Sequence, residues 1–423
     1  MKIMVIGQGG REHAIIKKLK ESKSVTEIFV LPGNGGMEND AERVPIGVME
    51  TDKAVEFAKA NKIDYAIVAP DDPLVAGAAD AFIKAGIPVF GPDKKAARIE
   101  GSKAFAKNLM RKYNIPTAAC EVFSDMEKAL AYLDTAPVPI VIKADGLALG
   151  KGVVIAGTRG EAKKAVIEIM GKKVFGKSGE KIVIEEFLEG PEVSVLAFTD
   201  GKTIKPMVSS MDHKRAHDND EGLNTGGMGT VAPNPYYTKE LADVCMEQIF
   251  LPTVEAMRKE GCKFKGCLYF GLMLTKSGPK VIEYNCRFGD PETQVVLPLL
   301  DSDLFEVMRA VTEERLSDIE VKIKDKSACC VIMASGGYPE HYEKGFKISY
   351  DASVGEKLVF AGVKKESDGL YTDGGRVLGV VETAPTLSEA IDKAYAAAAK
   401  VSFKNAFYRK DIGKRALCKG EAE

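Results

Sequence analysis

The stretch KIMVIGQGGREHA at residues 2–14 places a short apolar strand, a glycine turn and the start of a helix in immediate succession. The alternation continues through the first 100 residues, with apolar strands at 28–31, 65–69 and 88–91 and helical patterns at about 11–21, 52–61 and 75–85. Strands that alternate with helices predict a doubly wound parallel sheet, because each crossover helix packs on a face of the sheet. The first unit is therefore an α/β domain that ends near Gly91-Pro92-Asp93.

The glycine turn is a candidate phosphate-binding turn, since backbone N–H groups at a helix N-terminus can meet an anion. Gly7-Gln8-Gly9-Gly10 lacks the last glycine of the dinucleotide fingerprint, because Glu12 stands at that position. No acid ends the second strand, so the residue that holds the ribose of NAD is missing. A phosphorylated small molecule and a plain tight turn both remain open for this motif.

Composition and charge narrow the classes of protein. The 423 residues, at ~150 per domain, predict two or three domains. With 61 acidic against 59 basic residues, the net charge of −2 gives no support for a nucleic-acid-binding groove. No window approaches the ~18 apolar residues of a membrane span, and the N-terminus shows no signal peptide. Eight cysteines without metal or redox spacing indicate buried thiols, so we expect a cytoplasmic protein.

The rest of the chain divides into a helical, basic segment at 94–114, a glycine-punctuated α+β stretch and a β-rich tail. The α+β stretch is predicted to contain helices at about 160–170 and 238–260 and strands at 138–143, 153–156, 182–187, 193–199, 267–275 and 280–284. The tail from about 326 has apolar segments at 328–334, 358–363 and 376–381 and a helix at about 387–401. We expect this tail to be a small closing domain.

A glycine-rich loop, KADGLALGKG at residues 143–152, lies between two of these strands and carries a lysine near each end. It differs from the phosphate loop of P-loop nucleotide-binding proteins, because no helix follows and Gly152 replaces the hydroxyl residue. A flexible strand–loop–strand can still fold over a triphosphate, with Lys143 and Lys151 as point charges. The alternative is an ordinary hairpin with solvated lysines, but the glycines between the two lysines favour the phosphate interpretation.

Two acidic segments carry candidate ligands. The segment from Glu185 to Glu192 ends a strand and can accept bonds from ribose hydroxyls, or is a solvated acidic turn. Glu283 and Asn285 lie two apart on a strand and so face one side, where hard oxygen ligands suit Mg²⁺. Arg287 lies two residues further, on the same side of the strand, and can clamp a transferred phosphoryl group. A structural hydrogen-bond network is the alternative, which a triphosphate loop in the same chain weakens.

A long polar segment runs from Asp212 to Gly229 and contains the two motifs Asp212-His213-Lys214-Arg215 and Asn224-Thr225-Gly226-Gly227-Met228-Gly229. A loop of this length in a compact domain is usually functional or disordered. Its charges and turn glycines favour a substrate-binding loop.

Taken together, these motifs resemble the glycinamide ribonucleotide synthetase (phosphoribosylamine–glycine ligase) family of the ATP-grasp superfamily. The resemblance extends from residue 1 to about residue 417. Besides the 143–152 loop, it is carried by segments 6–14, 32–34, 73–77, 101–107, 212–215, 224–229, 287–294 and 374–378.

The resemblance implies an N-terminal α/β substrate domain at 1–100, an ATP-grasp domain pair at 101–325 with a mobile subdomain at about 118–189, and a C-terminal closing domain at 326–423. It implies a monomeric ligase of de novo purine synthesis. That enzyme uses ATP and Mg²⁺ or Mn²⁺ to join glycine to 5-phosphoribosylamine through glycyl phosphate, giving glycinamide ribonucleotide, ADP and phosphate.

Roles also carry over by position from the resemblance. The residues that would bind ATP are Lys103, Lys143, Gly150, Lys151, Glu185 and Glu192, and those that would bind the metal are Glu283 and Asn285. The residues that would bind the two other substrates are Gly9, Gly10, Asn34, Pro73, Asp212, Lys214, Asn224 and Arg287. The catalytic set would be Arg287, Lys151 and Asp212.

The sequence departs from the family pattern at several positions. Leu223 replaces the family's usual proline, Gly35-Gly36 replaces an Ala-Gly pair, Phe360 replaces a histidine and Cys286 replaces an alanine. The strand at 267–275 has no carboxylate, so a second metal ligand there is not expected. The alternatives are another ATP-grasp ligase or carboxylase, an NAD-linked oxidoreductase and a nucleotide-binding regulator without turnover.

Overall fold

The computed structural model describes residues 1–148 and 152–418, and its first unit is a parallel sheet flanked by helices. The strands are β1 (Lys2–Gly7), β2 (Glu27–Pro32), β3 (Glu42–Arg43), β4 (Tyr65–Val68) and β5 (Val89–Phe90). The helices are α1 (Gly10–Leu19), α2 (Thr51–Ala60), α3 (Asp71–Ala76) and α4 (Ala78–Lys84). The strand order is β3-β2-β1-β4-β5 with parallel pairing throughout. The predicted doubly wound parallel sheet is therefore confirmed, with β3 as an added strand.

Strand β1 is the centre of this sheet and is buried on both faces. Met4 and Ile6 pack into one apolar cluster, whereas Ile3 and Val5 pack into another. This explains why the strand is a continuous apolar run rather than an alternating one. From β1 the chain first adds β2 on one side and later adds β4 on the other side. The strand order therefore reverses between β1 and β4. Open parallel sheets bind substrates in the crevice at the carboxyl ends of the strands at such a switch point.

The basic segment at 94–114 forms two helices, α5 (Lys94–Gly101) and α6 (Lys103–Lys112), where the sequence indicates one helical stretch. The break is at Ser102, whose extended backbone ends α5 and whose hydroxyl accepts a hydrogen bond from the Phe105 N–H. A serine in this position is a favourable N-cap for the second helix.

A small antiparallel sheet follows. Its strands are β6 (Cys120–Phe123), β7 (Ile140–Ala144), β8 (Val153–Ala156) and β9 (Ile182–Glu186), in the order β6-β9-β7-β8. Two helices cover it, α7 (Met126–Leu133) and α8 (Arg159–Val166), the second extended by a π-helical turn at Ile167–Gly171. Apolar residues of this segment, among them Leu133, Ile142 and Ile184, form a core of their own.

The next segment supplies the strands β10 (Glu192–Thr199), β11 (Ile204–Pro206), β12 (Met211–Asp212), β13 (Arg215–His217), β14 (Glu221–Asn224), β15 (Gly229–Ala232), β16 (Gly266–Thr275) and β17 (Gly278–Asn285). Four of them form an antiparallel sheet in the order β11-β10-β16-β17. The predicted helix at 238–260 is present as α9 (Lys239–Cys245), a π-helical turn (Met246–Phe250) and α10 (Leu251–Lys259). Two further helices, α11 (Thr293–Leu299) and α12 (Leu304–Thr312), complete this part.

The β-rich tail contains β18 (Ser327–Ser335), β19 (Ser349–Tyr350), β20 (Leu358–Phe360), β21 (Val363–Glu366), β22 (Gly369–Thr372), β23 (Arg376–Ala384), α13 (Leu387–Ala398), β24 (Val401–Ser402), β25 (Ala406–Phe407) and α14 (Lys414–Cys418). Its main sheet has the order β12-β15-β18-β23-β20, with β25 also paired to β18. Two strands of this sheet, β12 and β15, thus lie at the two ends of the polar segment at 212–229, which the sequence indicated only as a loop. The same segment also forms the hairpin β13–β14.

Short 3-10 turns lie at Gly176–Gly179, Asp218–Asp220, Leu316–Asp318 and Ala352–Lys357. Within residues 1–148 and 152–418, no helix is both long and apolar enough to span a membrane.

Candidate active site

The candidate active site is a cleft of about 1070 Å³ between the small antiparallel sheet β6-β9-β7-β8, the antiparallel sheet β11-β10-β16-β17 and the tail. Ten of the predicted site residues line it: Lys103, Lys143, Glu185, Glu192, Asp212, Lys214, Asn224, Glu283, Asn285 and Arg287. Two more predicted site residues, Gly150 and Lys151, lie outside the residues that the structure describes. The cleft therefore brings together residues that are up to 184 positions apart in the chain.

One end of the cleft holds a buried cluster of two lysines and one carboxylate. The Nζ atoms of Lys107 and Lys143 each lie 3.0 Å from Oε2 of Glu185, and all three side chains are at most 6% exposed. The other carboxylate oxygen of Glu185, Oε1, is buried and has no hydrogen-bond partner among the described residues. An unpartnered acceptor beside a cleft is a place for a ligand donor, because a buried polar group without a partner is costly.

Lys107 was not among the site residues predicted from the sequence. Its position four residues after Lys103 on α6 would have indicated it, because residues four apart lie on the same face of a helix. Lys103 lies at the start of that helix and donates from Nζ to the carbonyl of Gly146 at 3.0 Å. Burial lowers the pKa of Lys103, with the Lys143 charge acting in the same direction and Glu283 against it.

The glycine-rich loop is joined to the start of α6 through Asp145. The Asp145 carboxylate accepts from the Ser102 hydroxyl at 2.9 Å and from the Ala104 N–H at 2.7 Å, and its carbonyl accepts from the Lys103 N–H at 2.9 Å. The first half of the loop is therefore fixed against α6 at the edge of the cleft.

Glu283 and Asn285 lie on β17 and both line the cleft, as their spacing predicts. The side chain of Glu283 has no hydrogen bond or ion pair with any described residue, and Gly271 on the paired strand leaves room for it. Burial acts to raise the pKa of Glu283, but the charges of the neighbouring lysines and Arg287 hold it below its ordinary value. The side-chain oxygen Oδ1 of Asn285 accepts a hydrogen bond from Nη2 of Arg287 at a long 3.4 Å.

An ionised carboxylate without a protein partner, next to an amide oxygen, fits one hard divalent cation that completes its shell with phosphate oxygens and water. The described residues contain no group of three or more histidine, cysteine, aspartate or glutamate side chains that could hold a metal by themselves. Any metal in the cleft would therefore depend on the nucleotide for further ligands.

Arg287 follows β17 and is held by two carboxylates that sequence reasoning did not identify. Its Nη2 lies 2.8 Å from Oε1 of Glu100 on α5 and 3.5 Å from Oδ2 of Asp71 on α3. Its Nε is buried without a partner among the described residues. Burial raises the pKa of Glu100 to about 7, although the Arg287 charge opposes this shift.

Asp212 and Lys214 form an ion pair in the cleft, with 3.0 Å between Oδ2 and Nζ. The Asp212 side chain is 4% exposed, whereas that of Lys214 is 40% exposed and so is free to meet a substrate. Burial raises the pKa of Asp212 to about 7, with Lys214 opposing the shift and Glu292 adding to it. Gly227 has a φ of +110°, and a Cβ there would lie 2.7 Å from Oδ1 of Asp212, so the glycine allows this close approach.

The tail reaches the cleft through Arg376, the first residue of β23. Its Nη2 lies 3.1 Å from Oδ2 of Asp290, and its Nη1 donates to the carbonyl of Gly226 at 2.7 Å. Arg376 therefore joins the tail to the polar segment and to the turn after β17. The Gly374-Gly375-Arg376 motif contributes to the family resemblance, but the resemblance alone did not indicate what this arginine binds.

The predicted phosphoribosylamine-binding residues Gly9, Gly10, Asn34 and Pro73 do not line the cleft itself. The Gly9 N–H donates to Oε2 of Glu12 at 2.6 Å, so this donor of the glycine turn is used within the protein. The side chain of Asn34 donates to the carbonyls of Gln8 and Phe360 and accepts from the Gly36 N–H. These engaged groups hold the turn and the tail together, and substrate contacts at the four residues remain predictions.

Comparisons with known protein families and with curated relatives all match the same family. The family descriptions that match are phosphoribosylglycinamide synthetase N domain over residues 1–100, ATP-grasp (A) domain over 101–293 and C domain over 328–415. A phosphoribosylamine–glycine ligase of Caldanaerobacter subterraneus is 49% identical, with 97% of this chain and 99% of the relative covered. A second, from Clostridium acetobutylicum, is 47% identical, with 98% and 100% covered.

Solved structures are similar over nearly the whole chain. The crystal structure of phosphoribosylamine–glycine ligase from Thermotoga maritima superposes with a TM-score of 0.85 at 35% identity, covering 97% of this chain and 100% of that one. The biotin carboxylase domain of a Hydrogenobacter thermophilus 2-oxoglutarate carboxylase has a TM-score of 0.75 at 15% identity, covering 96% and 91%. The second likeness is one of fold alone.

Proposed function

The chain belongs to the phosphoribosylglycinamide synthetase family, and we propose that its cleft joins glycine to 5-phosphoribosylamine with cleavage of ATP to ADP and phosphate. The observation that carries this proposal is the cleft itself, which combines buried lysines, an unpartnered carboxylate and a clamped arginine with full-length similarity to ligases of this activity. The product is glycinamide ribonucleotide, an intermediate of de novo purine synthesis. The carboxylase alternative has only a shared fold in its support.

The reaction follows from the poor reactivity of a carboxylate toward amines. A glycine carboxylate oxygen attacks the γ-phosphorus of ATP, the bond from that phosphorus to the β-phosphate oxygen breaks, and glycyl phosphate and ADP form. The amine nitrogen of phosphoribosylamine then attacks the acyl carbon. Phosphate leaves with the bonding electron pair, and the nitrogen loses a proton, which gives the amide.

The nucleotide would lie at the buried lysine end of the cleft. Lys103 and Lys143 are positioned to meet its phosphates as point charges, with Gly150 and Lys151 of the glycine-rich loop proposed to cover them. Oε1 of Glu185 is an open acceptor for a donor on the adenosine, and Glu192 is proposed to bind the same part of the nucleotide. Closure of this loop would exclude water from the acyl phosphate, which hydrolyses readily.

Glu283 and Asn285 are proposed to hold Mg²⁺ or Mn²⁺. When bound, the ion would neutralise charge on the phosphate oxygens. Arg287 lies two residues further and presents a guanidinium that Glu100 and Asp71 hold in place. This charge is suited to stabilise the phosphoryl group during transfer.

Glycine is proposed to bind between Asp212, Lys214 and Arg287, with Asn224 close by in the hairpin. The ammonium of Lys214, on a side chain that is 40% exposed, can meet the glycine carboxylate or the acyl phosphate that replaces it. Phosphoribosylamine is proposed to approach from the switch point of the first sheet, past Gly9, Gly10, Asn34 and Pro73.

The domain limits 1–100, 101–325 and 326–423, the mobile subdomain at about 118–189, a monomeric state and a cytoplasmic location are part of the same proposal. Gel filtration with light scattering tests the monomer. Limited proteolysis with and without ATP tests the subdomain, which should be cleaved more slowly when nucleotide is bound.

The decisive experiment is ADP release by the purified protein supplied with ATP, glycine and freshly generated phosphoribosylamine. We expect release that requires both substrates and a product of the mass of glycinamide ribonucleotide. Release that needs neither substrate, or that needs bicarbonate in their place, would overturn the proposal in favour of another ATP-grasp activity.

A further inference from the structure

Glu292, directly after the Asp290-Pro291 turn, is a cleft carboxylate that none of the roles above uses. Its side chain is buried, with the residue 3% exposed, and it lines the cleft. Oε1 accepts from the hydroxyls of Ser194 at 3.1 Å and Tyr269 at 3.2 Å, while Oε2 has no hydrogen-bond partner among the described residues. A buried carboxylate held by neutral donors alone retains the capacity to bind a cation.

The other acidic residues of the cleft differ from Glu292 in this respect. Within residues 1–148 and 152–418, seven of the ten that line it are already ion-paired: Asp71, Glu100, Glu185, Glu186, Asp212, Asp220 and Asp290. The three without a cationic partner are Glu192, Glu283 and Glu292. Glu192 is exposed and Glu283 fits the metal, so Glu292 is the remaining buried anion.

The surroundings of Glu292 are the proposed glycine site. Gly227 packs against both Pro291, the residue before Glu292, and Asp212: a Cβ there would lie 2.4 Å from Cδ of Pro291 and 2.7 Å from Oδ1 of Asp212. Asp212 in turn pairs with Lys214 at 3.0 Å, so the Glu292 turn lies beside this ion pair. Gly289 makes room for the carboxylate, since a Cβ at that position would lie 2.4 Å from Oε2. The site therefore holds cations that can meet the carboxylate of glycine next to a carboxylate that can meet its ammonium.

We infer that Glu292 binds the ammonium group of glycine and so selects an amino acid over other small carboxylic acids. This inference rests on the proposed function, because it concerns the same site. Glycine is a zwitterion whose carboxylate must face Lys214 and the nucleotide. Its ammonium, one carbon away, then needs an anion that no cation already occupies, and Oε2 of Glu292 meets that need.

The test compares glycine with glycolate, which replaces the ammonium by a hydroxyl. ADP release is measured with each acid, with hydroxylamine present to trap the acyl phosphate. We expect the wild-type chain to prefer glycine in kcat/KM, and Glu292→Gln to reduce that preference by about 10- to 100-fold, the value of one charge-assisted hydrogen bond. The change should lie in the KM for glycine, with the KM for ATP unaltered.

Ser194→Ala is the matched control, because it removes a neutral donor from Glu292 but keeps the carboxylate. It should retain the preference for glycine, whereas a purely structural role for Glu292 would make the two variants behave alike. An unchanged preference in Glu292→Gln would overturn the inference. Wild-type chain that shows no glycine-dependent ADP release would instead overturn the proposed function.

A measurement on the wild-type chain covers the case in which Glu292→Gln does not fold. Glycolate is titrated as a competitive inhibitor against glycine. We expect its inhibition constant to exceed the KM for glycine by about 10-fold or more, since it lacks the charge that Glu292 meets. Equal constants would show that the site does not recognise the ammonium and would overturn the inference.

Discussion

Arg287 donates from Nη2 to Oε1 of Glu100 at 2.8 Å across 187 positions of the chain. Glu100 lies in the helix that follows the first sheet, and its Oε2 also accepts from the Cys286 N–H at 2.7 Å. The carboxylate thus fixes both the backbone before Arg287 and the guanidinium itself. The position of the arginine in the cleft depends on a residue of a different segment.

The first prediction concerns the pH dependence of stability. The folded chain raises the pKa of Glu100 from its ordinary value near 4.5 to about 7. Between these values the unfolded chain has lost the proton that the folded chain keeps, so this group lowers stability as pH rises through the window. Relative to Glu100→Gln, wild-type stability should therefore fall by about 2–3 kcal/mol from pH 5 to pH 8. Urea unfolding at both pH values measures it.

Substitution of the exposed Glu189 by glutamine is the control for this series. It should leave the difference between pH 5 and pH 8 unchanged. Parallel pH profiles for wild-type chain and Glu100→Gln would contradict the shifted titration of Glu100.

The second prediction concerns Gly36 and Phe360, the second of which departs from the family pattern. A Cβ at Gly36 would lie 2.2 Å from the ring of Phe360. Gly36→Ala should therefore destabilise the chain by about 1–3 kcal/mol, the usual cost of overpacking. Gly355→Ala, where the nearest atom would be 3.7 Å away, should cost much less in the same thermal unfolding assay. In a Phe360→Gly background, which also removes the Phe360 Cβ that would lie 2.4 Å away, the penalty of Gly36→Ala should nearly disappear. An unchanged penalty would exclude this contact as its cause.

The third prediction concerns Arg409, whose side chain is 1% exposed and pairs with Asp411 at 2.8 Å and Asp220 at 3.0 Å. Arg409→Met leaves Asp411 without a cation, whereas Asp220 keeps Arg415 at 3.0 Å, so the loss should be at most about 3–5 kcal/mol, the cost of a broken buried pair. Because Asp220 belongs to the turn of the β13–β14 hairpin, amide exchange in the hairpin should become faster. Lys347→Met, which breaks an exposed pair with Asp368, should leave Tm nearly unchanged, because solvent screens such a pair. Equal losses of Tm in the two variants would refute the role of Arg409.

The fourth prediction concerns the metal. Glu283→Ala should abolish metal-dependent ADP release and leave the unfolding transition close to that of wild-type chain, since Glu283 has no protein partner to lose. Titration with Mg²⁺ and Mn²⁺ measures the requirement. A variant that keeps the wild-type metal requirement would remove Glu283 from the site. Glu320→Ala, whose side chain is 75% exposed outside the cleft, serves as the control.

The fifth prediction concerns Lys107. Lys107→Met leaves Glu185 with a single cation, so the KM for ATP should rise by about 10-fold, roughly one charge-assisted hydrogen bond. The KM for glycine should not change. Lys112→Met, on the same helix but with an exposed pair to Glu260, should alter neither constant. A rise in both KM values for Lys107→Met would indicate general loss of structure instead.

The sequence by itself determined the elements and much of the site. Apolar runs and glycine turns predicted four of the five strands of the first sheet within one or two residues, because period and turn chemistry are local properties of the chain. The two-residue strand β3 was not predicted. The spacing of Glu283 and Asn285 was enough to place both on one side of a strand, because side chains alternate along it.

The tertiary structure alone decided which groups meet. Glu100 and Asp71 clamp Arg287, Lys107 shares a carboxylate with Lys143, and β12 and β15 complete the sheet of the tail. None of these partners is near the other in sequence. Ion pairing acts over a few ångströms in space, so which charges become neighbours depends on how the separate sheets pack against one another.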